Sequence, residues 1–311
     1  MTSTLVVIQA RTGSTRLPGK VLADVGGMPM LAFQLRRLLP MARREGWTVV
    51  VATSDLPGDD PVADLGGDEG VAVVRGSEAD VLRRFAQAAD AFPTDTVVRL
   101  TGDCPLTDPA VVAAVVALHR STGADYTSNV LPRSFPKGLD VEAMSSTALR
   151  AADAAATAAP DREHVTPYLY RHPERFRLAN HSSGRDLGEE WWTVDSAPDL
   201  ERVREIVGFV ATPLTATWTE FLQVAGVRNG APDGRVRLAP NPGPEPGSAP
   251  WRRSWTAVVD GTAVGQVSVS VTAGVGERSL DVAPEWRAAA STALDELLDG
   301  DQQVRPIEAA N

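Results

Sequence analysis

Short runs of β-branched and other apolar residues recur along the first hundred residues, each followed by polar chain and then by apolar positions at helical spacing. LVVI (5–8), TVVVAT (48–53), VAVV (71–74) and TVVRL (96–100) read as buried strands. After a turn at Gly26-Gly27, Met30, Phe33, Leu35 and Leu38 fall on one side of a helix, with Arg36 and Arg37 on another. SEADVLRRFAQAADAF (77–92) reads as a helix capped by Ser77, and DPAVVAAVVALHRS (108–121) as a buried helix with Asp108 as cap and Pro109 at its first position. The stretch 59–70 carries too much glycine for a helix to be expected. This alternation predicts an α/β fold with a mainly parallel sheet and helices on both faces.

From about 125 to 195 the pattern loosens: YTSNV, LDVEAM, RFRLANH and WWTVD suggest strands, and 145–159 and 162–172 suggest helices. SAPDLERVREIVGFV (196–210) is a helix by pattern, with Ser196 capping, Pro198 in the first turn, and Asp199 and Glu201 near the positive end. Composition then shifts. We expect one large domain over 1–226, a Pro/Gly-rich linker over 227–250 and a small α+β appendage over 251–311. In the appendage an Asp-Gly pair within AVVDGTAVGQVSVSV signals a hairpin, and PEWRAAASTALDELLDG reads as an alanine-rich helix. About 60 residues make a marginal core, so this piece is expected to dock on the main domain or a partner.

Charge and composition narrow the function. Thirty Lys+Arg against 40 Asp+Glu give a net charge of −10, which argues against nucleic-acid or anionic-membrane binding. The apolar runs are strand-length, so no membrane helix is expected. A signal peptide is not expected either, because the first apolar run stops at Gln9 and Arg11 without a basic segment before it. The single cysteine, Cys104, allows no internal disulfide and fits a reducing cytoplasm; it reads as a small buried residue rather than a nucleophile.

Against that acidic background QARTGSTRLPGK (9–20) stands out, because it gathers Arg11, Arg16 and Lys20 on the loop leaving the first strand. Ligands bind at the carboxyl ends of such strands. Gly13 and Gly19 permit close backbone approach, two guanidinium forks match phosphate oxygens, and a lysine adds a mobile charge, a set suited to a triphosphate. In RLTGDCPLTDP (99–109), Asp103 follows the fourth strand, where a carboxylate can hold Mg²⁺; Asp195 in WWTVDSAPDL can complete that metal site while Asp199 serves the helix. In PRSFPKGLDVE, Arg133, Lys137, Asp140 and Glu142 surround a turn that reads either as an acceptor-binding loop or as a charged surface turn. His164 in REHVTPY is open to three roles: binding an acceptor anion, assisting deprotonation or capping a helix.

VIQARTGSTRLPGKVL, VVATS, RGSEADVLRRF, VVRLTGDCPLTDP, DYTSN, FPKGLDVE, REHVTPY and WTVDSAPDLERVR, in this order over residues 4–210, resemble the cytidylyltransferases of the spore-coat polysaccharide biosynthesis protein F type. These are grouped with CMP-Kdo and CMP-acylneuraminate synthetases. The resemblance implies a Rossmann-like GT-A nucleotidyltransferase fold, a homodimer, and Mg²⁺-dependent transfer of CMP from CTP to a sugar acid or related acceptor. It implies nucleotide contacts from Ala10, Arg11, Gly13, Ser14, Arg16, Lys20 and Asp103, metal binding by Asp103 and Asp195, and an acceptor facing the 133–142 loop and His164. Arg11, Lys20, Asp103 and Asp195 form the expected catalytic set. A glycosyltransferase on the same fold and a catalytically silent scaffold are the alternative readings. The tail resembles fragments of a GNAT acetyltransferase, but Ala288, Ala289, Ala290 and Ser291 stand where pyrophosphate-cradling glycines would be, so no acetyl transfer is expected.

Overall fold

The computed structural model describes residues 3–228 and the strand segments 237–240, 251–259, 262–272 and 275–282. β1 (Thr4–Gln9) leads through the candidate loop to a small hairpin, β2 (Asp24–Val25) and β3 (Met28–Pro29), turned by Gly26 and Gly27 at φ 64° and 81°. Then come α1 (Met30–Glu45), β4 (Thr48–Ser54), α2 (Asp60–Asp68), β5 (Ala72–Gly76), α3 (Val81–Ala91), β6 (Thr96–Thr101) and α4 (Pro109–Thr122). The less regular part holds β7 (Tyr126–Ser128), β8 (Glu142–Ser145), α5 (Ser146–Ala155), α6 (Ala159–His164), α7 (Pro167–Tyr170), β9 (Leu178–Asn180) and α8 (Ala197–Gly208). The chain divides inside α8 into two compact units, Met1–Arg204 and Glu205–Asn311.

The first unit is built on a seven-stranded sheet of order β5-β4-β1-β6-β8-β7-β9. β5, β4, β1 and β6 run parallel, and β8 enters antiparallel to both β6 and β7. Leu5, Val6, Val7 and Ile8 are all fully buried, as a strand covered on both faces requires. Leu5, Val7, Val50 and Ala52 share a core with Leu82, Phe85 and Ala89 of α3 and with Leu149 of α5. The alternate positions face the other way, where Val51 and Val73 meet α2.

That contact explains why α2 exists despite its glycines. A Cβ on Gly66 would lie 2.8 Å from Val73 Cγ2, so the small residue lets the helix lie close on the sheet, and packing outweighs its poor propensity. Two further expectations are corrected. Asp80, not Ser77, caps α3, its side chain accepting from Arg83 N at 3.0 Å, and Ser77 Oγ instead accepts from Asp80 N at 3.2 Å. WWTVD is extended but is not a strand. It is held by an isolated parallel bridge between Trp191 and Lys137, with Lys137 N donating to Glu190 O at 2.9 Å and Trp192 N to Lys137 O at 2.7 Å, and by Val194 N donating to Asp103 O at 2.9 Å.

The second unit contains α9 (Trp218–Arg228) and an antiparallel sheet of β10 (Arg237–Pro240), β11 (Trp251–Val259), β12 (Thr262–Thr272) and β13 (Val275–Val282), in that order. Val259 pairs with Thr262 across Asp260-Gly261, as the hairpin signal predicts. Within the stretch expected as a linker, Arg237–Pro240 is a strand paired with β11. The remainder of that stretch from 229 and the alanine-rich helix lie outside the described residues.

Candidate active site

β1 and β6 are neighbours, so the loops that leave their carboxyl ends are neighbours too. Gly102 brings them together: its N–H donates to Gln9 O at 2.8 Å, and a Cβ there would sit 3.0 Å from Ala10 Cβ. The 10–20 loop folds about Thr12, whose carbonyl accepts from Ser14 N at 2.8 Å and from Gly19 N at 2.9 Å. Gly19, at φ 72°, takes the left-handed conformation that starts the turn carrying Lys20. Gly13 passes so close to Glu78 that a Cβ would meet its Oε1 at 2.8 Å.

Asp59 anchors this loop from below. Only 3% exposed, it accepts from Thr12 N and Thr12 Oγ1, both at 2.7 Å, and from Ser54 N and Ser54 Oγ. Burial alone would raise its pKa, but these four donors more than offset that and hold the carboxyl below the ordinary range.

Together these elements wall a cleft of about 460 Å³. Of the residues singled out in the sequence, Ala10, Arg11, Gly13, Ser14, Arg16, Lys20, Asp103, His164 and Asp195 all line it. Lys20 is the buried cation among them. The Nζ atom donates to Asp103 Oδ2 and Asp195 Oδ1, both at 3.0 Å, and to Val194 O at 2.8 Å. Burial pulls the Lys20 pKa down, the facing carboxylates pull it up more strongly, and the net shift is upward. Asp103 is the mirror case: burial raises its pKa, but Lys20, with hydrogen bonds from Thr101 and Cys104, brings it below the ordinary value. Arg16 reaches Asp195 at 3.1 Å and Arg11 reaches Glu78 at 2.9 Å. Each cation of the loop therefore rests on a carboxylate.

Asp199 accepts from the N–H groups of Asp195 and Ser196 at 3.1 and 2.8 Å, so it serves the helix terminus and leaves the Asp195 carboxylate to the cleft. Burial pushes the Cys104 thiol well above its ordinary pKa, a direction that disfavours the thiolate. His164 ends α6, which is tied to α3 by the Arg162 fork on Asp80 at 2.9 and 2.7 Å.

The 133–142 loop is not among the cleft walls. Arg133 forms a two-pronged pair with Asp140 at 2.6 and 2.7 Å, and Lys137 lies over the Trp191 ring at 4.2 Å. Glu142 is not on the turn but opens β8, buried, with its carboxylate held by Arg99, Tyr126 and Thr166. Three charged residues that line the cleft, Arg84, Arg99 and Glu163, are not among those singled out from the sequence. Arg99 had a signal, since it is the charge inside an otherwise apolar strand. Arg84, within a doubled arginine on α3, did not. It is 1% exposed, and burial together with nearby Arg11 lowers its pKa.

Residues 5–216 match the model of a family described as cytidylyltransferase. The chain is 32% identical over 213 residues to the spore coat polysaccharide biosynthesis protein SpsF of Bacillus subtilis (strain 168), covering 66% of this chain and 87% of that protein. It is 33% identical over 189 residues to a 3-deoxy-manno-octulosonate cytidylyltransferase of Rhodopseudomonas palustris (strain HaA2), covering 56% and 76%. Among solved structures, a cytidylyltransferase from Leptospira borgpetersenii serovar Hardjo-bovis (strain JB197) superposes with a TM-score of 0.69 at 31% identity, over 73% of this chain and 94% of that one. With a parallel sheet, a cationic loop after β1 and two aspartates meeting one lysine, this chain belongs to the cytidylyltransferase family.

Proposed function

We propose that the protein transfers CMP from CTP to a hydroxyl of a sugar acid or a related acceptor, with Mg²⁺, releasing pyrophosphate. The observation that carries this reading is the Lys20 ammonium set between Asp103 and Asp195 at the mouth of the Arg11–Lys20 loop. The loop's cations are parked on carboxylates that a triphosphate can replace. As the nucleotide enters, Lys20 exchanges carboxylate oxygens for phosphate oxygens, and Arg11 and Arg16 do the same.

Asp103 and Asp195 then present hard oxygen donors to one point in the cleft. Among the described residues no group of three or more His, Cys, Asp and Glu could hold a metal ion. Two carboxylates completed by phosphate oxygens are the usual magnesium arrangement, and these two fit it. When bound, the ion supplies neutralisation of charge at the α-phosphate.

The acceptor hydroxyl gives up its proton to solvent as its oxygen attacks the α-phosphorus in line, the bond to the β-phosphate oxygen breaks, and pyrophosphate leaves with its new charge facing Arg11, Arg16 and Lys20. Glu163 and His164 are further ionisable groups of the same cleft, available to an acceptor. The test is pyrophosphate release from CTP, UTP, GTP and ATP with Mg²⁺ and a panel of sugar acids beginning with 3-deoxy-manno-octulosonate. Release confined to CTP and lost in Asp103→Asn is expected. Release without selectivity for CTP, or none with any acceptor, contradicts the reading.

A further inference from the structure

Val165 is the one non-glycine residue with positive φ among the described residues, at φ 71° and ψ −55°. That conformation is a steric outlier for a β-branched side chain. Thr166 N donates across it to His164 O at 2.8 Å, which closes a three-residue γ-turn in its uncommon, strained form. The turn is not loose. Val165 is fully buried in the core shared with Phe85 and Leu169, and its N–H donates to Asp161 O at 3.1 Å.

What lies on each side of the turn is informative. Before it are Glu163 and His164, both cleft residues. After it, Thr166 Oγ1 donates to Glu142 Oε1 at 2.6 Å. The same oxygen accepts from Tyr126 OH at 2.5 Å, and Glu142 Oε2 pairs with Arg99. Arg99 is itself a cleft residue and donates to another, Gln9, through Nε to Oε1 at 2.9 Å. A strained residue thus joins one wall of the cleft to a buried ionic network that ends at another wall. Strain of this kind persists where the surroundings over-determine the conformation, and it concentrates at working sites.

We propose that the Val165 turn and the Thr166–Glu142–Arg99 network are a positioning device that fixes Glu163 and His164 in the cleft toward the acceptor. Val165, Thr166 and Glu142 are positioning residues that touch neither nucleotide nor acceptor. This also gives Glu142 its place: its carboxylate serves from inside the fold, through Thr166, and not on an acceptor-binding loop. The inference rests on the proposed reaction only for the identity of what His164 faces.

The test compares Thr166→Val and Thr166→Ala, which remove the hydroxyl, with Thr166→Ser, which keeps it. Three quantities are read: pyrophosphate release with CTP, Mg²⁺ and the sugar-acid panel, the CTP dissociation constant, and the His164 ring resonances. Four histidines make those resonances assignable. In whichever removal variant folds, acceptor kcat/KM is expected to fall by about tenfold to a hundredfold, with CTP affinity within about threefold and a displaced His164 resonance. Thr166→Ser restores both. A folded removal variant with wild-type kcat/KM and an unmoved His164 resonance overturns the inference. If wild type itself releases no pyrophosphate, the reading of the reaction falls, and the resonance alone decides: displaced in the removal variants and restored in Thr166→Ser supports the device, unmoved refutes it.

Discussion

Lys20 and Asp59 show how single side chains set this cleft. Lys20 is 11% exposed at its side chain and satisfies two carboxylates and a carbonyl, so it ties the two aspartates of the cleft together. Lys20→Ala removes the cation that Asp103 and Asp195 share and leaves Asp195 to Arg16 alone, and a pyrophosphate-release assay should show a rate lower by about a hundredfold or more, the scale of losing one transition-state donor. Asp59 acts at a distance, by pinning Thr12 to the end of β4. Its folded-state pKa lies below its unfolded value, so its contribution to stability is complete above roughly pH 4 and is lost as the pH falls through the folded value. Urea unfolding at pH 3 and pH 5 should show that Asp59→Asn loses less stability between the two than wild type does. An equal loss in both proteins removes Asp59 from the account. Lys20 is legible in the sequence as a cation of the loop, but its pairing with Asp103 and Asp195 and the part played by Asp59 are not. Asp59 sits in DDPVADLGG, where it is one of several acidic residues, and only the fold reveals that it alone reaches back to Thr12.

At the scale of elements, the strands and the helices between them followed from their periodicity, because burial on both faces forces continuous apolar runs. The elements that escaped are those fixed by contacts distant in sequence. α2 forms through Gly66 lying on Val51 and Val73. The two glycines of that helix should therefore separate. Gly66→Ala drives a methyl into Val73 and should cost about 1–3 kcal/mol. Gly67, exposed with nothing within 4 Å of its added Cβ, should gain about 0.5–1 kcal/mol as alanine. Denaturant midpoints of the two variants, moving in opposite directions, check this. WWTVD, expected as a strand, departs from that pattern for a related reason. Trp191 packs under Lys137 of the 133–142 loop, where Arg133 pairs with Asp140, while Asp195 turns into the cleft onto Lys20 and Arg16, so its contacts lie outside a sheet.

For the whole molecule, a net charge of −10 makes the cationic loop a local feature, and its three cations pair with Glu78, Asp103 and Asp195. The cleft is built entirely from residues between Gln9 and Asp195, all within the first compact unit. A chain ending at Arg228 is therefore expected to bind CTP within about threefold of the full chain, since no wall residue is removed. A larger loss assigns the C-terminal strands a part in the cleft. The central claim is that Lys20 holds Asp103 and Asp195 for a nucleotide and its metal. It is tested most directly by calorimetric titration of CTP into wild type and Asp103→Asn, each with and without Mg²⁺. The account predicts that Mg²⁺ tightens CTP binding to wild type and has little effect on the variant. Equal strengthening by Mg²⁺ in both, or no CTP binding to wild type under either condition, would contradict it.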